Sequence, residues 1–314
     1  MKSQYRTLCL NDKSIPLFSR DWWLDMVCGE SNWDVLWIEE KGQVQATLPL
    51  YTPHKGVVSM PPFTQTMGPW FAPLSEDTKY TSALTQRQIL CKTFAEQLRK
   101  YPHFFQYFHY DVTDWLPFYW EGYRQTTRYT YLLPDLSDPN KLWEEMSGHT
   151  RRNILKAREK YAIRVETAIP VDDFLSVFRK TFKRQGLSVK NEKVLRRIIA
   201  GCKERGQGEL WGGYDPDGNL HAAIFVVWQE SSAYYLAGGG DPAYRKSGAH
   251  SLLMWEAIRY TAGKSERFDF EGSMLPGVER FFREFGAIQM PYFTISKGNL
   301  SLIHRAWLKC KRLL

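Results

Sequence analysis

The chain has 314 residues, enough for two ordinary domains, and its 43% hydrophobic and 24% charged residues are those of a soluble globular protein. A net charge of +8 favours anionic partners such as phosphates, nucleic acid or an anionic membrane, without naming one. Five cysteines without CxxC spacing and seven scattered histidines without HExxH argue against a disulfide framework, a zinc site or any metal. No apolar run approaches the roughly 20 residues of a membrane span, and residues 1–6 lack the apolar region of a secretion signal, so a cytoplasmic protein is expected.

In chain order, residues 19–27 read as a short helix with a serine cap. A hairpin follows, with strands near 34–39 and 43–51, and then irregular backbone shaped by proline and glycine over 60–70. Residues 78–100 carry apolar Leu84, Ile89, Phe94 and Leu98 and end in Arg99 and Lys100, the pattern of a helix with a basic last turn. Buried strands are expected at 104–110 and 129–133, the second stopped by Pro134. Residues 135–140 form a turn-rich linker, which sets the expected domains at 1–138 and 139–314. A basic helix over 150–160, a strand at 163–166 and helices over 171–186 and 193–203 come next. The first of those two helices places Phe174, Val177, Phe178 and Phe182 on one face. A second hairpin spans 209–214 and 220–228, and a third strand at 233–237 runs into Gly238, Gly239 and Gly240. A loop over 241–249 opens onto helix 250–262, with Leu253, Met254, Ala257, Ile258 and Thr261 as its apolar face. Strand 267–271, short helix 277–285 and strand 291–296 follow, and basic residues dominate 301–314.

Two segments about 170 residues apart repeat this order. Leu36-Trp37 and Leu210-Trp211 each open a strand, a glycine turn and a second strand, and a long helix and an aromatic strand come later in both. The two units close on related text, Phe118 to Tyr123 early and Phe281 to Gly286 late. A domain-sized period indicates one fold used twice.

Three groups of residues carry candidate chemistry. A strand that feeds glycines and then a helix start aims backbone N–H groups and a positive dipole end at one point, which suits a pyrophosphate. Gly239, Gly240, Arg245, Lys246 and Gly248 occupy that position; the loop is neither a Walker motif nor GxGxxG, and the same glycines also suit an ordinary helix-entry turn. On strand 267–271, Asp269 and Glu271 share a face with Arg267 by the period of two. A carboxylate there supplies a general base, or else pairs with Arg267, Arg280 or Arg283 and holds sheet to helix. Arg283, flanked by phenylalanines, suits an ion pair or a carboxylate clamp. Arg152, Lys156 and Lys160 share one helix face, which is either a solvated basic face or a clamp for substrate phosphates or an RNA backbone.

The hairpin, the Gly-Gly strand, the Arg-x-x-Gly loop, the Asp269-Phe270-Glu271-Gly272 strand and Phe281-Phe282-Arg283-Glu284-Phe285-Gly286-Ala287 together resemble the GNAT acyltransferase fold. More narrowly they resemble its FemAB-like branch, which has two such domains in tandem and an Arg-Arg-Asn-Ile-x-Lys-Ala stretch like residues 151–157 here. The resemblance is best over 141–297. It implies an α/β fold of two tandem GNAT-like domains, each a mixed sheet flanked by helices, with a degenerate N-terminal copy as scaffold. It further implies an acyltransferase that moves an acyl or aminoacyl group from acyl-CoA or aminoacyl-tRNA, without a metal, to an amine or hydroxyl of an anionic acceptor such as a cell-envelope precursor. In that reading Glu271 is the base with Asp269 second, and Tyr235 donates to the oxyanion. Gly239, Gly240, Arg245 and Gly248 hold donor phosphates, and Arg152, Lys156 and Arg283 hold the acceptor, the first two between the domains. Two positions depart from the pattern: His250 stands where the cofactor loop usually has Gly or Ala, and Arg283 where the branch often has Lys. No heptad run marks the coiled-coil arm of the best-known FemAB transferases. The alternative is a non-catalytic binding protein for RNA or a phosphorylated glycan.

Overall fold

The computed structural model describes residues 1–184, 186 and 188–298; the basic stretch 301–314 lies outside them. The elements are α1 (Lys2–Asn11), α2 (Asp21–Cys28), β1 (Trp33–Glu40), β2 (Gln43–His54), β3 (Val57–Ser59), β4 (Trp70–Phe71), α3 (Tyr80–Gln97), β5 (His103–Tyr107), α4 (Leu116–Trp120) and β6 (Arg124–Leu133). They continue with α5 (Pro139–Glu145), α6 (Gly148–Glu159), β7 (Arg164–Thr167), α7 (Val171–Arg184), α8 (Glu192–Glu204), β8 (Gly208–Tyr214), β9 (Leu220–Gln229) and β10 (Ser232–Gly240). The last are α9 (Ala249–Thr261), β11 (Phe268–Asp269), α10 (Pro276–Arg283) and β12 (Ile288–Lys297).

The described residues form two compact units, Met1–Arg128 with residues 291–298, and Tyr129–Met290. The linker at 135–140 therefore lies inside the second unit rather than between two. In the first unit β1 and β2 form the hairpin, β2 pairs β3 antiparallel, β3 pairs β5 parallel, and β5 pairs β12 antiparallel. In the second, β7, β8, β9 and β10 are antiparallel neighbours, β10 pairs β11 parallel, and β11 pairs β6 antiparallel. The pattern of hairpin, third strand, parallel partner and antiparallel closer occurs in both, with Trp37 and Trp211 each on the first hairpin strand. The closers are exchanged along the chain: the first unit takes β12, and the second takes the end of β6. Each closer follows a short helix and a left-handed glycine, Gly122 at φ 79° and Gly286 at φ 83°, which explains the related text at Phe118 and Phe281.

In the first unit α3 buries Leu90, Cys91, Phe94 and Ala95, and the turn after it Leu98, against Leu48, Leu50, Phe104 and Phe118. Ile89, read from the sequence as part of that apolar face, is 61% exposed, because the buried stripe is turned one position along the helix. In the second unit β9 is buried along all but its first residue and touches α7 and α9. A strand covered on both faces needs a continuous apolar run, and Ala222 to Trp228 supplies one. On α9, Leu253, Met254 and Ile258 are fully buried, each contributing about 1.5–3 kcal/mol of transfer free energy.

Two glycines fix where these elements end. Gly248 starts α9 at φ 81°, and a Cβ there would lie 2.3 Å from the Asn153 carbonyl oxygen of α6. Gly272 follows β11 at φ 62°, and its Cβ would lie 2.1 Å from the Tyr129 carbonyl oxygen. Both positions exclude a side chain by backbone contact as well as by φ. Gly122 shares the positive φ, but a Cβ there meets nothing within 4 Å. Gly122→Ala is therefore expected to cost about 1 kcal/mol, and Gly248→Ala and Gly272→Ala clearly more. Urea denaturation midpoints of the three variants check this, and equal losses would contradict the backbone-contact argument.

Candidate active site

The second unit opens between β10 and β11. Their parallel pairing lasts for Ala233↔Phe268 and Tyr234↔Asp269 only, after which β10 runs on to Gly240 along β9. An irregularity between Tyr235 and Ala237 bends β10 at this point. β11 stops at Asp269, and the chain turns through Glu271 at φ 59° and Gly272. The strand expected over 267–271 is thus two residues long, and Glu271 lies beyond it in left-handed backbone. The period-of-two argument that placed Asp269 and Glu271 on one strand face does not hold, because hydrogen bonding to Asp269 turns the chain there.

Asp269 is fully buried. Its Oδ1 accepts the Thr130 hydroxyl and, at 2.7 Å, the Glu271 amide. This carboxylate holds the chain turn in place. Glu271 differs. Its Oε1 is shielded from solvent and meets no hydrogen-bond partner among the described residues. Burial first, and then the negative charge of Asp269, push its carboxyl well above the usual carboxylate range. Two of the three arginines offered as partners are engaged elsewhere: Arg280 pairs with Glu284, and Arg283 Nε with Glu279, both at 2.8 Å. Glu279 also accepts the Tyr131 hydroxyl at 2.7 Å. Arg283 is 62% exposed in this surface pair.

Tyr235 lies beside Glu271, whose charge adds to burial in raising the phenol's pKa. Its hydroxyl is 3.2 Å from His250 Nε2. Burial lowers the His250 pKa to about 4, Gly239's backbone partly offsets that, and Arg184 lowers it further. The ring is therefore neutral at pH 7; with its single proton on the Gly239 side, Nε2 accepts from Tyr235. Phe281 stands edge-on to His250 at 5.3 Å, and Phe282 edge-on to Tyr235 at 5.9 Å. The Tyr235 hydroxyl is thus occupied and must exchange partners before it can serve an oxyanion.

The glycines sit differently from a phosphate loop. Gly238, Gly239 and Gly240 are the last residues of β10. A Cβ on Gly239 would meet Thr181 Oγ1 at 2.3 Å, and the Gly240 amide donates to that oxygen at 3.1 Å. They let α7 approach the strand, and the Gly240 N–H is already used. The loop that follows, Pro242–Ser247, is a 3-10 turn capped by Asp241, which accepts from Ala243 N at 3.0 Å and Lys180 Nζ at 2.5 Å. Behind it His221 stacks on Tyr244 at 4.1 Å and bonds Asp215 at 3.1 Å. Arg245 and Lys246 project from this turn, exposed, and Gly248 begins α9. Arg152 and Lys156 lie one turn apart on α6, Arg152 exposed and Lys156 half-buried, and Lys160 caps the end of that helix. Among the described residues no group of three or more His, Cys, Asp and Glu is placed to hold a metal ion, and no helix is long and apolar enough to cross a membrane.

The structure therefore brings Tyr235, Asp269 and Glu271 to one opening, adds His250, and leaves Arg283 in a surface pair. Thr130 and Thr181 had no local signal, since their partners are 139 and 59 residues away. His250 had one: a large polar residue where a small one was expected.

Because Glu271 is raised in the folded state, the folded protein holds a proton that the unfolded chain releases. Wild-type stability is full below the unfolded value, about 4.3, and falls as pH rises toward the folded value. Glu271→Gln lacks this loss, so its melting temperature relative to wild type should climb as pH is raised from about 4 to 8. A difference that stays constant over that range would mean Glu271 is not raised.

Comparison with known proteins bears on the fold and the domain family. Residues 146–283 match the family described as an acetyltransferase (GNAT) domain. No curated protein sequence matches the chain. Among solved structures, FemX superposes with a TM-score of 0.67 at 13% identity, covering 99% of this chain and 98% of its own. The C-terminal domain of a putative lysylphosphatidylglycerol synthetase from Agrobacterium fabrum gives 0.56 at 12% identity, covering 98% and 96%. A tandem GNAT protein from the clavulanic acid biosynthesis pathway gives 0.52 at 12% identity, covering 96% and 95%. At these identities the likeness is one of fold: the tandem GNAT arrangement that the sequence implied.

Proposed function

Since this chain carries a GNAT-type acyltransferase domain in a tandem fold shared with FemX, we propose that it transfers an acyl or aminoacyl group from acyl-CoA or aminoacyl-tRNA to an amine or hydroxyl of an anionic acceptor. A cell-envelope precursor fits that description, and such a reaction belongs in the cytoplasm, where both donors are made. The observation that carries the proposal is Glu271, a solvent-shielded carboxyl with a raised pKa at the point where β10 and β11 part. The fold neighbours bear on the donor and acceptor. The tandem GNAT protein is described in its form without AcCoA, and the Agrobacterium fabrum domain is named for a lysyl group on phosphatidylglycerol. The second pairs an aminoacyl group with an anionic acceptor.

In this reading the acceptor amine gives a proton to the Glu271 carboxylate and attacks the donor carbonyl. The oxyanion that forms takes a hydrogen bond from Tyr235 once that hydroxyl leaves His250. Collapse expels the donor's thiolate or ribose oxygen, which takes up the proton held by Glu271, so the carboxylate is regenerated. Asp269 acts through Glu271, since its charge is one cause of the raised pKa. Arg245 and Gly248 face the donor phosphates at the start of α9, with Gly239 and Gly240 shaping the strand beneath. Arg152 and Lys156 attract the anionic acceptor, and Arg283 with them once Glu279 releases it.

Glu271→Gln keeps the shape and removes the basicity, and single-turnover transfer should fall by about 10²–10⁴-fold with little change in donor binding. The active form is the carboxylate, so the wild-type rate should rise with pH through the Glu271 pKa. Asp269→Asn removes the neighbouring charge and should move that rise to lower pH. A Glu271→Gln variant that turns over like wild type, or a wild-type protein that transfers nothing from a panel of acyl-CoAs and charged tRNAs, defeats the catalytic reading and leaves a binding module.

Replacing both Arg152 and Lys156 with Ala should weaken a polyanionic acceptor and flatten the salt dependence of its binding, by a slope of about one per lost phosphate contact. Unchanged affinity and slope at several salt concentrations would make this helix face merely solvated.

A further inference from the structure

The second unit holds another feature at the opposite end of α9. An open cavity of about 800 Å³ lies among α5, α6, β7, β8 and the last turns of α9. That volume is in the range of sites for small organic ligands. His250 and Tyr260 are on the same helix, on the order of 15 Å apart along its axis, so this cavity is separate from the opening at Glu271.

Its walls are aromatic. Trp211 and Trp255 are buried, and they form the floor. Trp143, half-buried, packs on Trp255 at 5.4 Å, and Tyr260, 43% exposed, stands edge-on to Trp211 at 5.6 Å. Lys264 lies over the Tyr260 ring at 4.8 Å. The same cavity carries an ion cluster. Arg158 binds one oxygen of the Glu256 carboxylate, and Arg259 approaches the other at 3.4 Å. Two guanidiniums share one carboxylate, which leaves a net positive charge, and both are exposed. Two guanidiniums on one carboxylate favour a second, planar or tetrahedral anion, and aromatic walls favour a flat ring.

The geometry points to a binding site for a nucleoside phosphate, its base against Trp143 and Tyr260 and its phosphate on Arg158 and Arg259. A ring alone leaves the excess positive charge unanswered, and phosphate alone leaves the aromatic wall uncovered, so the two parts should bind together far better than either. This inference does not depend on the transfer reaction.

Calorimetric titration of the whole protein with adenosine monophosphate, adenosine and inorganic phosphate tests it. The nucleotide should bind with a Kd below about 1 mM, and each of the other two at least tenfold more weakly. Tyr260→Ala and Arg259→Ala, both at part-exposed positions, should each weaken the nucleotide at least tenfold while circular dichroism shows a folded protein. Arg245→Ala, at the donor loop, should leave it unchanged, which separates this site from a donor that itself contains nucleotides. No nucleotide binding at millimolar concentration, or binding lost in Arg245→Ala and kept in Arg259→Ala, would overturn the assignment. So would phosphate binding as well as the nucleotide.

Discussion

The hydrogen bonds that converge on Asp269 determine the candidate site. A parallel strand pair that stops after two residues leaves backbone groups that need other partners. The Asp269 carboxylate takes one of them, the Glu271 amide, and ties it to the Thr130 hydroxyl of β6. Charged acceptors form the stronger class of hydrogen bond, and a buried carboxylate without such donors is costly. Here the two needs meet, and the result is a fixed turn that carries Glu271 at the point where β10 and β11 part.

Glu271 itself breaks two local rules. It has a left-handed backbone without being glycine, and it buries an acid oxygen without a hydrogen bond among the described residues. Each costs on the order of 1–3 kcal/mol. Sites that violate local rules while their surroundings are well packed are where function is expected. The surroundings qualify: Phe268, Phe270 and Phe285 are fully buried, and the Gly272 contact with Tyr129 leaves the turn little freedom.

The exchange of closing strands has a consequence for assembly. The first unit pairs β5 with β12, a partner about 190 residues later in the chain, so its sheet is incomplete until residues 288–297 are available. The second unit pairs β11 with β6, which precedes it by about 135 residues. Contacts this distant are made late, because the loop entropy must be overcome first. A chain ordered in this way has two units of similar pattern that are not independent halves of the sequence.

Local pattern determined a great deal. Both hairpins, the helices at 150–160, 171–186, 193–203 and 250–262 and the strands between them were legible from periodicity and capping, because those signals act within a few residues. The domain-sized repeat was legible too, since the two hairpins and the Phe-rich closures carry matching residues. The same text put Asp269 and Glu271 on one strand, and the family resemblance added Tyr235, on another strand, to their site. What the sequence alone did not decide was what each side chain bonds. Asp269 reads as a second base but is a turn anchor, because its partner Thr130 is 139 residues away. The glycine run reads as a loop but belongs to a strand, because Thr181 of α7 closes on it. Arg283 reads as either an ion pair or a clamp, and in the structure it pairs with Glu279, one turn earlier on its own helix. Spacing along a chain fixes faces and periods; which groups meet across the sheet depends on contacts between distant segments, and only the packed structure supplies those.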